Sequence, residues 1–201
     1  MGAEQSSGKQ SGVRGVSQRM VTEKLLKESH FTHSEMEHLV TAFKKASGNS
    51  GRLHRDQLAG VLKDTGVDID NSLMLDRIFG AFDKNDSGYV DLKEFIQGVS
   101  VLHKGTLFER IHFSFDVYDA DKSGVLDHAN MYPVLISRAK AFCGVAGKND
   151  NADELKVEAD EIEAFLQEVF GDNKTLTMKQ YTEAVKKHPE LLGFRHPTAS
   201  P

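Results

Sequence analysis

The chain carries the stretch Asp83-Lys-Asn-Asp-Ser-Gly-Tyr-Val-Asp-Leu-Lys-Glu94. Oxygen-bearing side chains stand at its first, third, fifth, ninth and twelfth positions: Asp83, Asn85, Ser87, Asp91 and Glu94. Alternate residues of a tight loop can direct such oxygens at one centre. Ca²⁺ is a hard cation that takes six to eight oxygens at about 2.3–2.6 Å in a forgiving geometry. Tyr89 at position seven can offer its backbone carbonyl, and Glu94 can close the cage with both carboxylate oxygens. Gly88 at position six permits a sharp turn that is costly for a residue with a Cβ. Val90 at eight is apolar, as expected where two such loops exchange a short strand contact. Helical apolar spacing flanks the stretch: Leu75, Ile78, Phe79 and Phe82 before it, Leu92, Phe95, Ile96 and Val99 after it.

A near copy starts 36 residues later, at Asp119. Asp119, Asp121 and Ser123 repeat the first three donors, Gly124 the turn, Val125 the carbonyl position and Asp127 the ninth. The copy closes with Asn130, which can give one neutral oxygen in place of two charged ones. A six-oxygen site lies nearer the octahedron that Mg²⁺ prefers. Two readings stand for this loop: a weaker Ca²⁺ or mixed Ca²⁺/Mg²⁺ site, or a loop that keeps its shape without an ion. The pattern in both copies is that of the EF-hand, a loop held between two helices.

EF-hands pair, so further copies are expected. Alignment on the apolar eighth residue finds two degenerate ones. Upstream, Gly51 and Leu53 stand at six and eight of a loop that runs from Lys44 to Gln57. It is fourteen residues long, with Ser50, His54 and Gln57 where ligands would be. Downstream, Phe170 leads to Leu176 and Tyr181 through a shortened loop. Thr177 and Gln180 take its ninth and twelfth places, and Asp172 and Asn173 fall out of register. Both read as structural hands without metal. The expected fold is therefore all-α, with four helix-loop-helix units paired into two lobes by short loop-loop strand contacts. The expected organisation is a disordered segment over 1–17, an N-terminal lobe over 18–103, a C-terminal lobe over 104–195 and a tail over 196–201. Thr32-His-Ser-Glu35 and Thr106-Leu-Phe-Glu109 fit capping boxes at two helix starts. A further helix is expected from about Ser17 to Glu28. The acidic piece from about Gly144 to Glu163 reads as a solvated loop and helix start.

The chain has 201 residues, enough for two small lobes with real cores. A formal net charge of −5 argues against nucleic acid as the main partner. Cys143 is the only cysteine, so no intramolecular disulfide can form, which fits a reducing compartment. No apolar run approaches the roughly 20 residues of a membrane span. There is no Gly-rich phosphate loop, nucleophile elbow or His-Glu-x-x-His pattern, so no enzyme is expected. His30, His33 and His38 cluster in sequence, but their surroundings read as a helix start.

Met1-Gly2-Ala3-Glu4-Gln5-Ser6 fits the N-myristoylation pattern and makes Gly2 a candidate acceptor. The same residues read equally as an unmodified start. One myristoyl chain anchors only marginally, so any membrane contact is expected to be reversible.

Beyond the loops, the chain resembles the neuronal calcium sensor and calcineurin B superfamily. The resemblance is carried by Phe31-Thr-His-Ser-Glu-Met-Glu-His-Leu39, Phe43-Lys-Lys45, Arg77-Ile-Phe79, Phe82-Asp83 and Gly98. Phe115-Asp-Val-Tyr-Asp119 and Leu191-Leu-Gly-Phe194 complete it. It covers roughly residues 18 to 195. Within the superfamily the chain is most similar to plant and protist calcineurin B-like sensors and to calaxin, the calcium sensor of ciliary outer-arm dynein. The resemblance implies a non-enzymatic, cytoplasmic sensor that grips a helix of a target protein. That target could be a kinase, a phosphatase catalytic chain, a channel or a motor. A peripheral membrane or ciliary location fits the same resemblance. The expected target groove is lined by Phe43, Phe79, Phe82, Phe95 and Ile96, which in a closed state would be core. Two functional readings remain: a Ca²⁺-driven sensor, or a constitutive structural subunit with one Ca²⁺ as a permanent staple.

Overall fold

The structure is a computed structural model that describes residues 22–67, 69, 71–145 and 152–193. Gly2, the segment expected to be disordered and the tail lie outside the described residues. The architecture is helical. A short α1 (22–27) leads into α2 (His33–Ser47), α3 (Arg55–Asp64), α4 (Ser72–Phe82) and α5 (Leu92–Lys104). Then come α6 (Leu107–Tyr118), α7 (His128–Val145), α8 (Ala152–Phe170) and α9 (Met178–Lys187). A 3₁₀ turn, Pro189–Leu192, follows α9. From α2 onward the helices form four successive helix-loop-helix segments.

The helix starts follow from local chemistry. Thr32 N–H donates to Glu35 Oε2 at 2.8 Å, and Thr106 N–H donates to Glu109 Oε2 at 2.7 Å. The threonine hydroxyls accept from the third helical N–H in return. Each box satisfies two backbone donors that a helix start otherwise leaves orphaned.

Strand contacts join the loops in two pairs. Leu53 and Val90 exchange backbone hydrogen bonds, each 2.9 Å, as an isolated antiparallel bridge. Strands β1 (Val125–Leu126) and β2 (Leu176–Thr177) form a two-stranded antiparallel sheet, with Leu126 opposite Leu176. The four apolar eighth-position residues are thus the ones that meet. All four are at most 1% exposed, because each sits between the helix pairs it joins.

Two apolar clusters carry the packing. The first gathers Leu25, Met36, Phe43, Leu58, Ile78, Phe82, Phe95 and Ile96; the second gathers Phe115, Tyr118, Met131, Leu166, Phe170 and Tyr181. Each such side chain contributes about 1.5–3 kcal/mol by leaving water. Helix α6 serves both clusters. Its Phe113 and Val117 enter the first, and its Ile111, Phe115 and Tyr118 the second. The Phe113 ring meets Phe82 edge-on at 5.7 Å. The hand spacing assigns α6 to the second lobe, yet one of its faces completes the first cluster.

Candidate metal centre

The Asp83–Glu94 loop is organised by its own first residue. Asp83 Oδ1 accepts from Ser87 N–H at 2.9 Å, and Asp83 Oδ2 accepts from Gly88 N–H at 2.7 Å. Ser87 Oγ lies 3.2 Å from Asp83 Oδ1 and donates to the Tyr89 carbonyl at 2.9 Å. Asp83, Ser87 and the Tyr89 carbonyl are therefore drawn together. Gly88 has φ +80°, the left-handed conformation that the turn requires. Tyr89 turns its ring outward beneath Arg52 of the preceding loop, whose guanidinium carbon lies 3.9 Å from the ring centroid. Asn85 is exposed.

The Asp119–Asn130 loop repeats this network almost bond for bond. Asp119 Oδ1 accepts from Ser123 N–H at 3.0 Å and Oδ2 from Gly124 N–H at 2.9 Å. Ser123 Oγ donates to the Val125 carbonyl at 3.0 Å. Hydrogen bonding from Ser123, whose N–H donates to Asp121 Oδ1 at 3.3 Å, holds Asp121 below the usual carboxylate range. Asp121 is thus ionised at neutral pH.

At the end of each loop, position nine caps the exiting helix and position twelve completes the box. Glu94 Oε2 accepts from Asp91 N–H at 3.0 Å, and Asp91 Oδ1 accepts from Glu94 N–H at 2.9 Å. Asn130 Oδ1 accepts from Asp127 N–H at 3.0 Å, and Asp127 Oδ1 from Asn130 N–H at 2.8 Å. In the first hand Gln57 Oε1 accepts from His54 N–H at 2.9 Å; in the fourth Gln180 Oε1 accepts from Thr177 N–H at 2.9 Å. The twelfth residue does one local job in all four hands. Three of the four are amides; Glu94 alone is a carboxylate.

The degenerate loops use their glutamines further. Gln57 Nε2 donates to the Ala46 carbonyl at 2.8 Å, tying the entering helix to the exiting one. Gln180 Nε2 donates to Asn173 Oδ1 at 3.1 Å. A direct amide hydrogen bond thus spans each of these two loops.

The donor set of the Asp83 loop fits a divalent cation. Asp83 and Glu94 are 3% and 7% exposed, and neither forms an ion pair among the described residues. Backbone N–H groups and the Ser87 hydroxyl compensate these buried charges, and a bound cation would compensate them more fully. As they stand, no three carboxylate, imidazole or thiol groups among the described residues converge on one ion position. Glu94 is turned to the cap. His33 and His38 are exposed, and His30 Nε2 instead meets Glu109 Oε2 at 2.9 Å.

The aromatic set expected to line a groove lies in the first cluster. Phe43, Phe82, Phe95 and Ile96 are at most 3% exposed, and Phe79 is half-buried. Beside this cluster a cavity of about 210 Å³ opens to solvent between α5 and α6, bordered by Phe82, Gly98, Val101, Phe108, His112 and Phe113. Phe108 at its rim is 69% exposed, and the adjacent Leu107 is 58% exposed. The sequence signal for this feature was available: two large apolar residues occupy the first turn of a capped helix, where polar ones are usual.

Similarity to known proteins places the chain. Family models give no match. A recoverin family protein of Dictyostelium discoideum is 30% identical over 187 residues, covering 85% of this chain and 83% of the relative. The calcium-binding protein NCSA of the same organism is 30% identical over 144 residues, 70% of this chain and 76% of that protein. Calcineurin B of Schizosaccharomyces pombe is 28% identical over 82% of this chain and 97% of its own. Calaxin of Xenopus laevis is 30% identical over 53% of each. The chain belongs to the recoverin family of EF-hand calcium sensors, within the neuronal calcium sensor and calcineurin B superfamily. It is a calcium-binding, non-enzymatic protein of that class. Among the described residues no helix is long and apolar enough to cross a membrane.

Proposed function

We propose that this chain is a Ca²⁺-responsive regulatory protein whose dependable trigger is the Asp83–Glu94 loop. The observation that carries the reading is the identity of the twelfth residue. Four loops use that residue for the same cap, and only Glu94 has a carboxylate to offer an ion. Asp83, Asn85, Ser87, the Tyr89 carbonyl, Asp91 and Glu94 would hold Ca²⁺. The ion supplies positive charge among buried carboxylates.

Glu94 is then the moving part. To offer both oxygens it must give up the Asp91 N–H and swing across the start of α5. Helix α5 carries Phe95 and Ile96 into the first cluster and lays Gly98 against the Phe82 ring. A shift of its first turn therefore bears on the packing of Phe43, Phe79, Phe82, Phe95 and Ile96. Loosening that face beside the Phe108 cavity would give a target helix an apolar groove. Names among the relatives, calcineurin B and calaxin, suit a phosphatase chain or a ciliary motor as target; a kinase or channel is equally compatible with the groove. The charge of −5 disfavours nucleic acid. The proposed location is cytoplasmic or ciliary, with reversible membrane contact if Gly2 is acylated.

The Asp119–Asn130 loop is the weaker site and suits Mg²⁺ or partial Ca²⁺ occupancy. Asp119, Asp121, Ser123, the Val125 carbonyl, Asp127 and Asn130 would hold the ion.

A second reading is a constitutive subunit with one ion as a staple. It is favoured by the amide bridges of Gln57 and Gln180, which fix two hands without metal. Calorimetric Ca²⁺ titration in the presence of Mg²⁺ tests the loop ranking. Wild type should show one strong site, Glu94→Gln should lose it, and Asn130→Glu should gain a second. Two tight sites in wild type would contradict the ranking. Tryptic digestion unchanged by Ca²⁺ would favour the constitutive subunit.

A further inference from the structure

The two ligand-bearing loops belong to different strand-paired couples, yet their side chains cross between them. Lys122 is the fourth residue of the Asp119 loop, between Asp121 and Ser123, and has φ +54°. Its Nζ donates to Asp86 Oδ1 at 2.7 Å and to the Asp83 carbonyl at 3.2 Å. Asp86 is the fourth residue of the Asp83 loop and has the matching φ of +58°. In the opposite direction Lys84 of the first loop pairs with Asp116 on α6, three residues before Asp119. Each loop thus lends a lysine to its neighbour.

We propose that Lys122 sets the divalent-cation affinity of the Asp83–Glu94 loop from the neighbouring hand, through its charge. The proposal rests on the reading of that loop as an ion site. Neither Lys122 nor Asp86 stands at a ligand position. Their contact brings an ammonium against the backbone of Asp83, the residue whose carboxylate organises the loop. Together the two charges cancel. Removing either shifts the local charge by one unit, in opposite directions. The side chains of Lys122 and Asp86 are 42% and 81% exposed, so solvent screens them and the effect is modest.

Calcium titration calorimetry of the full chain tests this with a charge cycle. At about 20 mM KCl, Lys122→Gln leaves the Asp86 carboxylate uncancelled and should tighten the Asp83 loop by roughly three- to tenfold. Asp86→Asn leaves the ammonium uncancelled and should weaken it by a similar factor. The double variant should return near wild type. Raising KCl to about 500 mM should shrink both single effects towards unity. A merely structural contact predicts another outcome: both single variants loosen the loop and weaken binding, and salt does not restore it. Equal signs for the two variants, or salt-independent effects, overturn the proposal. Glu94→Gln is the control. If it leaves the wild-type titration unchanged, the ion-site reading itself fails and this inference falls with it. If Glu94→Gln abolishes the site while Lys122→Gln leaves it unaltered, only the role of Lys122 is lost.

Discussion

Glu94→Gln separates the two jobs that Glu94 is built to do. The capping job survives, because a glutamine oxygen already performs it twice in this protein, at 2.9 Å from His54 N–H and 2.9 Å from Thr177 N–H. In chelator the variant should therefore melt within about 2 °C of wild type. The ion-holding job does not survive. One carboxylate charge and one oxygen ligand disappear, which should move the site from the sensor range of about 10⁻⁷–10⁻⁵ M towards 10⁻⁴–10⁻³ M, roughly a hundredfold. At Ca²⁺ about 100 times the wild-type dissociation constant, binding adds about 2.7 kcal/mol to wild type and only about 0.4 kcal/mol to the variant. For a chain of this length that corresponds to a Ca²⁺-dependent gain of about 5–10 °C in wild type against about 1 °C in the variant. Calorimetric melting in chelator and in Ca²⁺ measures all four values. Glu94→Ala completes the comparison: it removes the cap bond as well and should cost about 1 kcal/mol in chelator. The reasoning is refuted if Glu94→Gln melts as low as Glu94→Ala in chelator, or keeps the full Ca²⁺ gain.

Two further outcomes follow from packing and charge. A Cβ added at Gly98 would lie 2.4 Å from the Phe82 ring, so Gly98→Ala should lower stability by about 1–3 kcal/mol in chemical denaturation; an unchanged midpoint would show that the ring yields freely. Glu35 is held at a pKa of about 2, first by the Lys104 ammonium and then by Thr32 N–H and Oγ. Because the folded value is depressed, the contribution is present above the ordinary carboxylate range, near 4.5, and is lost as pH falls towards about 2. The urea midpoint of Glu35→Gln should therefore trail wild type at pH 7, and the gap should close only as pH falls from about 4.5 towards about 2; a gap that widens in acid would invert the assignment.

Much of the fold was legible in residue spacing. The apolar eighth residues pick out the hands and also their strand partners, because a side chain at that position must be covered by its counterpart. The capping boxes at Thr32 and Thr106 can be read from four residues each, since such bonds are local. The shared box at positions nine and twelve carries the same local signal, in Asp91 to Glu94, Asp127 to Asn130 and Thr177 to Gln180. The ion-ligand pattern masks it there, because the same oxygens serve both purposes. The exposed pair Leu107 and Phe108 carries a signal in breaking the polar pattern of a first helical turn.

The sequence by itself determined which residues could surround a cation, and that Glu94 is the one charged closing residue among four loops. Loop chemistry is short-range, so spacing and residue type suffice for it. Only the tertiary structure decided how those loops lie against one another. Lys122 reaching Asp86, α6 serving two cores, and Gly98 meeting Phe82 are contacts between residues 16 to 36 positions apart or across separate hands. Surface lysines and small helix residues carry no pairing signature, because what they touch is set by the angles at which whole helices pack. The same packing decided that Phe43, Phe82, Phe95 and Ile96 are buried core here, while the open apolar surface lies beside them at Phe108.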